Sequence, residues 1–313
     1  MKISIVIPVY NSEDSLRELV ERINAEMAIY SFEIIFVNDG SRDRSLQILY
    51  ELAMCNSNIT VLDLARNFGQ HNAIMAGLRL AQGDIVVLMD DDLQNPPAEI
   101  HKLIAPLLEG SCDVVYGRYL IKKHSWFRNL GSAFNDRVAD VMIHKPHDLY
   151  FCAFKAMRSF VVAEITRYDG AYPYIDGLIF RATQSICSVV VDHKERNMGT
   201  SNYTLRKLIR LWLNMFTNFS ILPLRVVTVF GLLMAMLSFV FAFMVIVERF
   251  WFDFMPQGWA SLIVSIMLLA GIQLASIGLL GEYLGRTYLS INQTPQYVIR
   301  EIVRHAVVPD EKK

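Results

Sequence analysis

Three consecutive aspartates, Asp90, Asp91 and Asp92, stand directly after an apolar segment and shortly before Gln94. Adjacent carboxylates repel one another unless a cation lies among them, and hard oxygen ligands of this kind suit Mg²⁺ or Mn²⁺. In an extended segment alternate side chains point to the same side, so we expect Asp90 and Asp92 to face one way and Asp91 another. Asp92 and Gln94 are therefore the expected metal ligands, and Asp90 is expected to hold a ribose or a metal-bound water. The alternative is an acidic turn in water.

These residues need a regular framework to position them, and the sequence predicts one. Branched apolar runs predict strands, and helical spacing of apolar residues predicts helices between them. The predicted strands cover residues 3–9, 32–37, 59–64, 85–89, 114–116 and 187–191. This alternation predicts an α/β domain with a Rossmann-like, mainly parallel sheet. Ligands bind such a sheet at the carboxyl ends of its strands. The acidic run directly follows the predicted strand 85–89 and therefore lies at such an end.

Polar side chains also follow the first two predicted strands. Tyr10 and Asn11 come after the first strand, and Asp39 comes after the second. Tyr10 could face a base, and Asp39 could accept a hydrogen bond from a base or a ribose. Packing by Tyr10 and turn formation by Asp39 are the alternatives for each residue alone. At neighbouring strand ends the three together favour a nucleotide site.

Three arginines are candidates for phosphate binding, because a guanidinium matches phosphate oxygens with paired hydrogen bonds. They are Arg118, Arg128 and Arg196. Taken alone, each of them is more often a surface charge than a phosphate ligand. The overall composition argues against nucleic acid as a partner, because a formal net charge of −1 gives the protein no overall basic field. The four scattered cysteines predict neither a zinc site nor a disulfide framework.

The C-terminal third of the sequence predicts membrane attachment. Residues 226–247 carry no charge, and residues 260–280 contain Gln273 as their one strongly polar side chain. Each run is long enough to cross a hydrocarbon core of roughly 30 Å as a helix, so the pair predicts a membrane hairpin. Residues 203–224 carry basic and apolar side chains, which predicts amphipathic helices on the membrane surface, an ordinary core helix being the alternative.

Basic residues flank the predicted hairpin on both sides, whereas the segment that joins its two helices carries a single arginine. The positive-inside rule therefore predicts that both termini lie in the cytoplasm. The predicted organisation is a catalytic domain over residues 1–202, interfacial helices over 203–224, two transmembrane helices within 225–285, and a cytoplasmic tail over 286–313.

Four motifs resemble those of family 2 glycosyltransferases with the GT-A fold. They are Ile-Pro-Val-Tyr-Asn at 7–11, Asn-Asp-Gly-Ser at 38–41, Arg-Asn-Phe-Gly-Gln-His at 66–71 and Asp-Asp-Asp-Leu-Gln-Asn-Pro-Pro at 90–97. Within that family the chain resembles the polyprenyl-phosphate glycosyltransferases. It is especially similar to the undecaprenyl-phosphate 4-deoxy-4-formamido-L-arabinose transferases at residues 69–77 and 125–128. The resemblance extends over nearly the whole chain.

This resemblance implies an inverting transfer of a sugar from a nucleotide sugar to a polyprenyl phosphate, at a bacterial inner membrane and with Mg²⁺ or Mn²⁺. It implies metal binding by Asp92 and Gln94, and a catalytic group comprising Asp90, Asp92, Asp148 and Arg128. The implied donor site comprises Pro8, Tyr10, Asn11, Asp39, Asn67, Gly69 and Asp90. The implied ligands of the acceptor phosphate are Arg118, Arg128 and Arg196. A homo-oligomer, a tetramer in the family, and a UDP-linked donor are also implied.

The chain departs from the family pattern at three positions. Relatives usually have a small residue in place of Asp91, many have Glu in place of Ser12, and Lys is common in place of Asn202. Two alternative functions remain. One is a transferase that acts on a saccharide or polysaccharide, although the Gln-x-x-Arg-Trp motif of processive synthases is absent from the sequence. The other is a catalytically silent membrane scaffold. The sequence does not identify the sugar.

Overall fold

The computed structural model describes residues 1–119, 152–170, 173–192, 229–230, 233, 236, 240, 258–291 and 295–304. The chain divides into two compact units. One unit contains residues 1–202 together with 293–313, and the other contains residues 203–292. Arg128, Asp148, Arg196 and Asn202, together with the interfacial helices predicted for 203–224, lie outside the described residues.

The described part of the first unit is built on one mixed sheet. Its strands are β1 (Lys2–Val9), β2 (Ser31–Asn38), β3 (Ile59–Leu64), β4 (Ile85–Leu88), β5 (Val114–Tyr119), β6 (Lys155–Arg158), β7 (Ile186–Val191) and β8 (Ile299–Arg304). Their order across the sheet is β7-β5-β6-β4-β1-β2-β3-β8. The strands predicted from branched apolar runs agree with β1 to β5 and β7 to within a few residues at each end.

Helices cover both faces of this sheet, as the alternating sequence predicts. They are α1 (Leu16–Met27), α2 (Ser45–Cys55), α3 (Gln70–Leu80), α4 (Ile100–Glu109), α5 (Ser159–Ile165) and α6 (Ile175–Ala182). Helix α1 buries Leu16, Leu19, Val20, Ile23 and Met27, which recur at helical spacing along one face. Helix α3 lies close to the sheet, because Gly77 leaves room for the side chains of Val6 and Val37.

Strand direction decides which residues meet at one edge of the sheet. Strands β4, β1, β2 and β3 pair in parallel, so their carboxyl ends lie together. Strand β6 is antiparallel to both β4 and β5, so β5 runs in the same direction as β4. The ends of β1, β2, β4 and β5 therefore place Tyr10, Asp39, Asp90 and Arg118 at the same edge.

Two features of the sheet are absent from the sequence-based prediction. Strand β6 is four residues long and begins with a buried lysine, so it carries no recognisable apolar run. Strand β8 lies within residues 286–313, which the sequence analysis treats as a tail, and it pairs antiparallel with β3. Its alternating apolar and charged residues fit an edge strand, but its partner lies more than 200 residues earlier in the chain.

The second unit contains the long helix α7 (Trp259–Ile291). Within the described part of the chain, no helix is both long enough and apolar enough to cross a membrane. The hairpin within residues 225–285 stays a prediction.

Candidate active site

The acidic run forms a turn rather than an extension of β4. Strand β4 ends at Leu88, and Leu93 adopts a positive φ of 60°. The Oδ1 atom of Asp92 accepts a hydrogen bond of 3.1 Å from the backbone N–H of Gln94. The prediction that Asp90 and Asp92 face the same side assumed an extended segment. The segment forms a turn, so that assumption is wrong. This side chain-to-backbone bond, a common alternative to regular structure for Asp, sets the chain direction here.

Asp90 is held by the start of helix α3. Its Oδ1 atom accepts a hydrogen bond of 2.9 Å from Nε2 of Gln70, the first residue of that helix. Gln70 lies in the Arg-Asn-Phe-Gly-Gln-His motif, but no role follows for it from the sequence alone. The contact fixes the carboxylate of Asp90 against the loop that follows β3.

Asp91, which has no assigned role in the sequence, packs against the turn that follows β1. Its Oδ2 atom accepts a hydrogen bond of 3.4 Å from the backbone N–H of Tyr10, and its carbonyl oxygen accepts one of 2.6 Å from Oγ of Ser15. Burial raises the pKa of Asp91 to about 6, although hydrogen bonds from the Ser12 side chain and the Tyr10 amide favour the ionised form. Asp91 therefore joins two segments of the site.

The raised pKa of Asp91 predicts a stability that depends on pH in metal-free protein. A carboxyl group whose folded pKa lies above its ordinary value near 4 favours folding at low pH, and this contribution is lost as pH rises through about 6. In EDTA, Asp91→Asn should therefore be more stable than the wild type by about 2 kcal/mol at pH 8, and similar to it at pH 4. Thermal unfolding at both pH values measures this difference. Asp14→Asn, an exposed control, should show no such trend, and a difference for Asp91→Asn that does not change with pH would contradict the prediction.

The turns after β1 and β2 are joined by hydrogen bonds. The N–H of Asn11 donates to Oγ of Ser41 at 3.1 Å, and Oδ1 of Asn11 accepts from the N–H of Arg42 at 2.8 Å. Asn11 adopts a positive φ of 55°, which Asn tolerates better than most residues. The side chain of Tyr10 is left 46% exposed beside this junction, where it is available to a ligand.

Asp39 holds the loop between β3 and α3, residues 65–69. Its two carboxylate oxygens accept hydrogen bonds from the backbone N–H groups of Phe68 at 2.6 Å and Gly69 at 2.9 Å. Nδ2 of Asn67 donates to the carbonyl oxygen of Asp39 at 3.0 Å. Burial raises the pKa of Asp39, and the two amide donors oppose that shift. The sequence predicts that this carboxylate faces a base or a ribose. In the structure both of its oxygens accept hydrogen bonds from the 65–69 loop, and its contact with a donor stays a prediction.

Gly40 explains how closely this loop approaches the end of β2. It has a positive φ of 66°, and a Cβ atom at this position would lie 2.6 Å from the backbone nitrogen of Asn67. A side chain here would therefore push residues 65–69 away from Asp39.

Arg118 is exposed at the end of β5, on the same edge of the sheet as the acidic turn. The next residue, Tyr119, reaches that turn, because its hydroxyl donates to Oδ1 of the buried Asn95 at 2.6 Å. The thiol of Cys152 donates in turn to the Tyr119 hydroxyl at 2.9 Å. Asn95, Tyr119 and Cys152 are not identified as site residues by the sequence analysis, because their proximity depends on the pairing of β5 and β6.

A buried polar cluster, formed by Lys155, Asp176 and Tyr116, lies next to the last residue of β4. Lys155, which pairs with Leu88 in the sheet, forms an ion pair with Asp176, and the Tyr116 hydroxyl donates to Oδ1 of Asp176 at 2.9 Å. Lys155 also lies over the ring of Tyr116, with Nζ 4.7 Å from its centroid. These residues come from β5, β6 and α6, two of which the sequence analysis does not predict.

His71 adjoins this cluster from helix α3. Its ring meets that of Tyr174 edge to face, with centroids 5.5 Å apart. Burial lowers the pKa of His71, and the charge of Asp176 opposes that shift. The imidazole is therefore expected to be neutral at pH 7. The buried cluster of Lys155, Asp176 and Tyr116 therefore lies near the first turn of α3, which carries Gln70 and His71.

The oxygens at the acidic turn fit a divalent cation of the Mg²⁺ class. Such ions commonly use one or two protein side chains and complete their coordination with water and substrate phosphates. Asp92 carries a carboxylate and Gln94 a side-chain amide oxygen, two residues apart in one turn that the Asp92–Gln94 hydrogen bond closes. No group of three or more His, Cys, Asp or Glu side chains suitable for a metal occurs among the described residues.

Comparisons with known proteins identify a family, and relatives that the chain resembles over nearly its full length. The family described as Glycosyl transferase family 2 matches residues 4–166. The undecaprenyl-phosphate 4-deoxy-4-formamido-L-arabinose transferase of Edwardsiella ictaluri (strain 93-146) is 37% identical, over 99% of this chain and 97% of that protein. The protein of the same name from Enterobacter sp. (strain 638) is 36% identical, over 100% of this chain and 97% of that protein.

One solved structure shares the fold at low sequence identity. Glucosyl-3-phosphoglycerate synthase of Mycobacterium tuberculosis, in complex with Mn²⁺, UDP-glucose and phosphoglyceric acid, superimposes with a TM-score of 0.51 and 17% identity. The match covers 66% of this chain and 74% of that chain. At this identity the similarity concerns the fold, which is the GT-A type of α/β sheet.

Proposed function

This chain belongs to glycosyl transferase family 2, and from that membership we propose that it transfers one sugar from a UDP-sugar to undecaprenyl phosphate, with inversion at the anomeric carbon. In this reaction an oxygen of the lipid phosphate forms the new bond to the anomeric carbon, and the bond from that carbon to UDP breaks. The names of the relatives make 4-deoxy-4-formamido-L-arabinose the first sugar to test.

The observation that carries this proposal is the convergence of three features at one edge of the sheet. Tyr10 follows β1, and Asp39, which holds the 65–69 loop, follows β2. The Asp92–Gln94 turn follows β4, and Arg118 lies near the end of β5. A nucleoside needs an aromatic or polar pocket. A diphosphate needs a cation that hard oxygen ligands hold, and a second phosphate needs a guanidinium. The donor-binding set we propose is Pro8, Tyr10, Asn11, Asp39, Asn67, Gly69 and Asp90.

Asp92 and Gln94 are the proposed ligands of Mg²⁺ or Mn²⁺. When bound, such an ion neutralises charge on the departing diphosphate as a Lewis acid. Asp90, held by Gln70, would orient the donor beside it. Helix α3 and the 65–69 loop would keep the nucleoside in place, because positioning of this kind supplies a large part of the catalysis in a two-substrate transfer.

Arg118, Arg128 and Arg196 are the proposed ligands of the acceptor phosphate, with Asp148 nearby on the acceptor side. A phosphate monoester is already anionic at neutral pH, so its oxygen can attack without a strong general base. The arginines would then act by holding two anionic substrates together and reducing their mutual repulsion.

We also propose that the protein is attached to the bacterial inner membrane, with the catalytic unit and both termini on the cytoplasmic side. The support is the hydropathy of residues 226–247 and 260–280 and the basic residues that flank them. Several large apolar side chains of α7 are also exposed, among them Leu262, Ile266, Leu274, Ile277 and Leu284. A homotetramer is proposed from the family resemblance, and light scattering of the detergent-solubilised protein measures it.

A transfer assay tests the proposed function. Membranes that contain the full chain would be incubated with Mg²⁺, undecaprenyl phosphate and radiolabelled UDP-sugars, including the formamido-arabinose donor. We expect label in the organic phase with one donor, and none when EDTA is present. Label that appears in a water-soluble saccharide would favour the polysaccharide transferase instead. No label with any donor, combined with no Mn²⁺ binding, would favour the silent scaffold.

A further inference from the structure

The C-terminal segment, residues 295–304, is part of the same compact unit as residues 1–202. Its strand β8 pairs antiparallel with β3, from Thr60 opposite Arg304 to Leu64 opposite Ile299. Because the strands are antiparallel, the start of β8 lies beside the end of β3. That end leads directly into the 65–69 loop.

Arg300 connects β8 to the start of this loop. Its Nη1 atom lies 3.1 Å from Oδ2 of Asp63, and its Nη2 atom donates to the carbonyl oxygen of Ala65 at 2.9 Å. The N–H of Ala65 donates to the carbonyl oxygen of Val298 at 2.8 Å. Both backbone polar groups of Ala65 are therefore held by the C-terminal segment.

The same contacts lead to Asp39 on the other side of the loop. The second carboxylate oxygen of Asp63, Oδ1, accepts a hydrogen bond of 2.7 Å from Nδ2 of Asn38. Asn38 precedes Asp39, whose carboxylate fixes the amides of Phe68 and Gly69. The loop is thus held at Ala65 by Arg300 and Val298, and at its far end by Asp39.

The segment has a second, independent attachment that fixes where it enters the sheet. Nε2 of the buried Gln296 donates to the carbonyl oxygens of Tyr168 at 2.7 Å and Gly170 at 2.8 Å. Nη1 of Arg79, on helix α3, donates to the hydroxyl of Tyr297 at 3.2 Å. These bonds align the segment before β8 begins, so Arg300 is presented to Asp63 from a fixed position.

We propose that the C-terminal segment is a positioning element of the donor-nucleotide site and that Arg300 is its positioning residue. Arg300 acts through the 65–69 loop and need not contact the donor itself. The identification of the ligand as a UDP-sugar rests on the proposed function, whereas the restraint on the loop rests on the contacts above.

The exposure of Arg300 separates positioning from simple support of the fold. Its side chain is 60% exposed, whereas that of Asp63 is 2% exposed. Replacing an exposed side chain leaves no cavity, and the buried Asp63 keeps its hydrogen bond from Asn38 when the guanidinium is removed. The planar guanidinium bridges Asp63 and the Ala65 carbonyl at once, which the single ammonium of lysine reproduces only in part.

Four variants of the full-length enzyme test this role. Arg300→Gln removes the bridge, and Arg300→Lys keeps the charge without the fork. Arg304→Gln changes an arginine at the other end of the same strand, opposite Thr60. Tyr50→Phe removes the hydrogen bond of 3.1 Å that attaches Glu301 of β8 to α2, while the bonds from Arg300 to Asp63 and Ala65 stay in place.

For Arg300→Gln we expect the KM for the UDP-sugar and the Kd for UDP to rise about tenfold, with kcat within about twofold of the wild type. Hydrogen exchange at the amides of residues 65–69 should become faster. The KM, Kd and exchange rates of Arg300→Lys should lie between those of the wild type and Arg300→Gln. Both control variants should match the wild type in KM and in exchange.

Two results would overturn the inference. One is wild-type KM, Kd and exchange in Arg300→Gln. The other is a loss of kcat and thermal stability in Arg300→Gln without a change in Kd, which is the result expected of a purely structural residue. If the wild type itself binds no UDP and transfers no sugar, the proposed function fails first and the inference fails with it. Normal wild-type binding with an unaltered Arg300→Gln removes the inference alone.

Discussion

Asp92→Asn should reduce kcat/KM for sugar transfer by about 10³-fold or more while the protein remains folded. Asparagine has the same shape as aspartate and can still accept the hydrogen bond from the N–H of Gln94, so the turn should be kept. The variant loses the negative charge that a divalent cation requires at this position. If the cation is lost, the negative charge on the leaving diphosphate would no longer be neutralised.

The measurement is the initial rate of label transfer as a function of donor concentration, from well below KM to saturation, together with Mn²⁺ binding followed by calorimetry. Asp14→Asn is the matched control, since it removes an exposed aspartate before α1 and should leave both quantities unchanged. Turnover near that of the wild type in Asp92→Asn would contradict the metal assignment. Loss of activity with unchanged Mn²⁺ affinity would show that Asp92 acts on the substrates in another way.

Lys155→Met should destabilise the protein by about 3 kcal/mol, because it leaves the carboxylate of Asp176 buried without its counter-charge. The two side chains are only 5% and 13% exposed, so water can compensate little of the loss. The Tyr116 hydroxyl still donates to Asp176, which provides a hydrogen bond but no positive charge. We expect a lower midpoint in chemical denaturation of the detergent-solubilised protein.

A double-mutant cycle separates this ion pair from packing. Lys155→Met combined with Asp176→Asn should be more stable than the sum of the two single losses predicts, since no unpaired charge remains. Lys102→Met is the control, because Lys102 pairs with Glu99 while its own side chain is half exposed, and stability should stay near that of the wild type. Strict additivity in the cycle would contradict the assignment of a stabilising ion pair.

The same cluster also connects stability to the site. His71 meets Tyr174 from the start of α3, and the preceding residue Gln70 holds Asp90. Destabilising the cluster should therefore also weaken the position of Asp90. This connection is one reason why the site cannot be understood from the strand-end motifs alone.

Most of the catalytic fold could be predicted from the sequence because its central elements are encoded locally. Branched apolar runs separated by helical periodicity predicted β1 to β5 and β7 to within a few residues. Strands β6 and β8 could not be predicted in this way. Strand β6 is short and begins with the charged Lys155, so its sequence does not look like that of a buried strand. Strand β8 forms by pairing with β3, which lies in a distant part of the chain.

The sequence alone was enough to predict that Tyr10, Asp39, Asp90 and Asp92 follow strands of a parallel sheet and so lie at one edge of it, because parallel strands bring their carboxyl ends together. The place of Arg118 at this edge depends on the pairing of β5 with β6. The contacts that these side chains and their neighbours make became visible in the folded chain alone. Asp39 holds the amides of the 65–69 loop, Asp91 joins the turn after β1, and Arg300 reaches Asp63 from the last strand. The reason is physical. Periodicity records which face of an element is buried, whereas a hydrogen bond between distant segments depends on strand order and register, which no local pattern encodes.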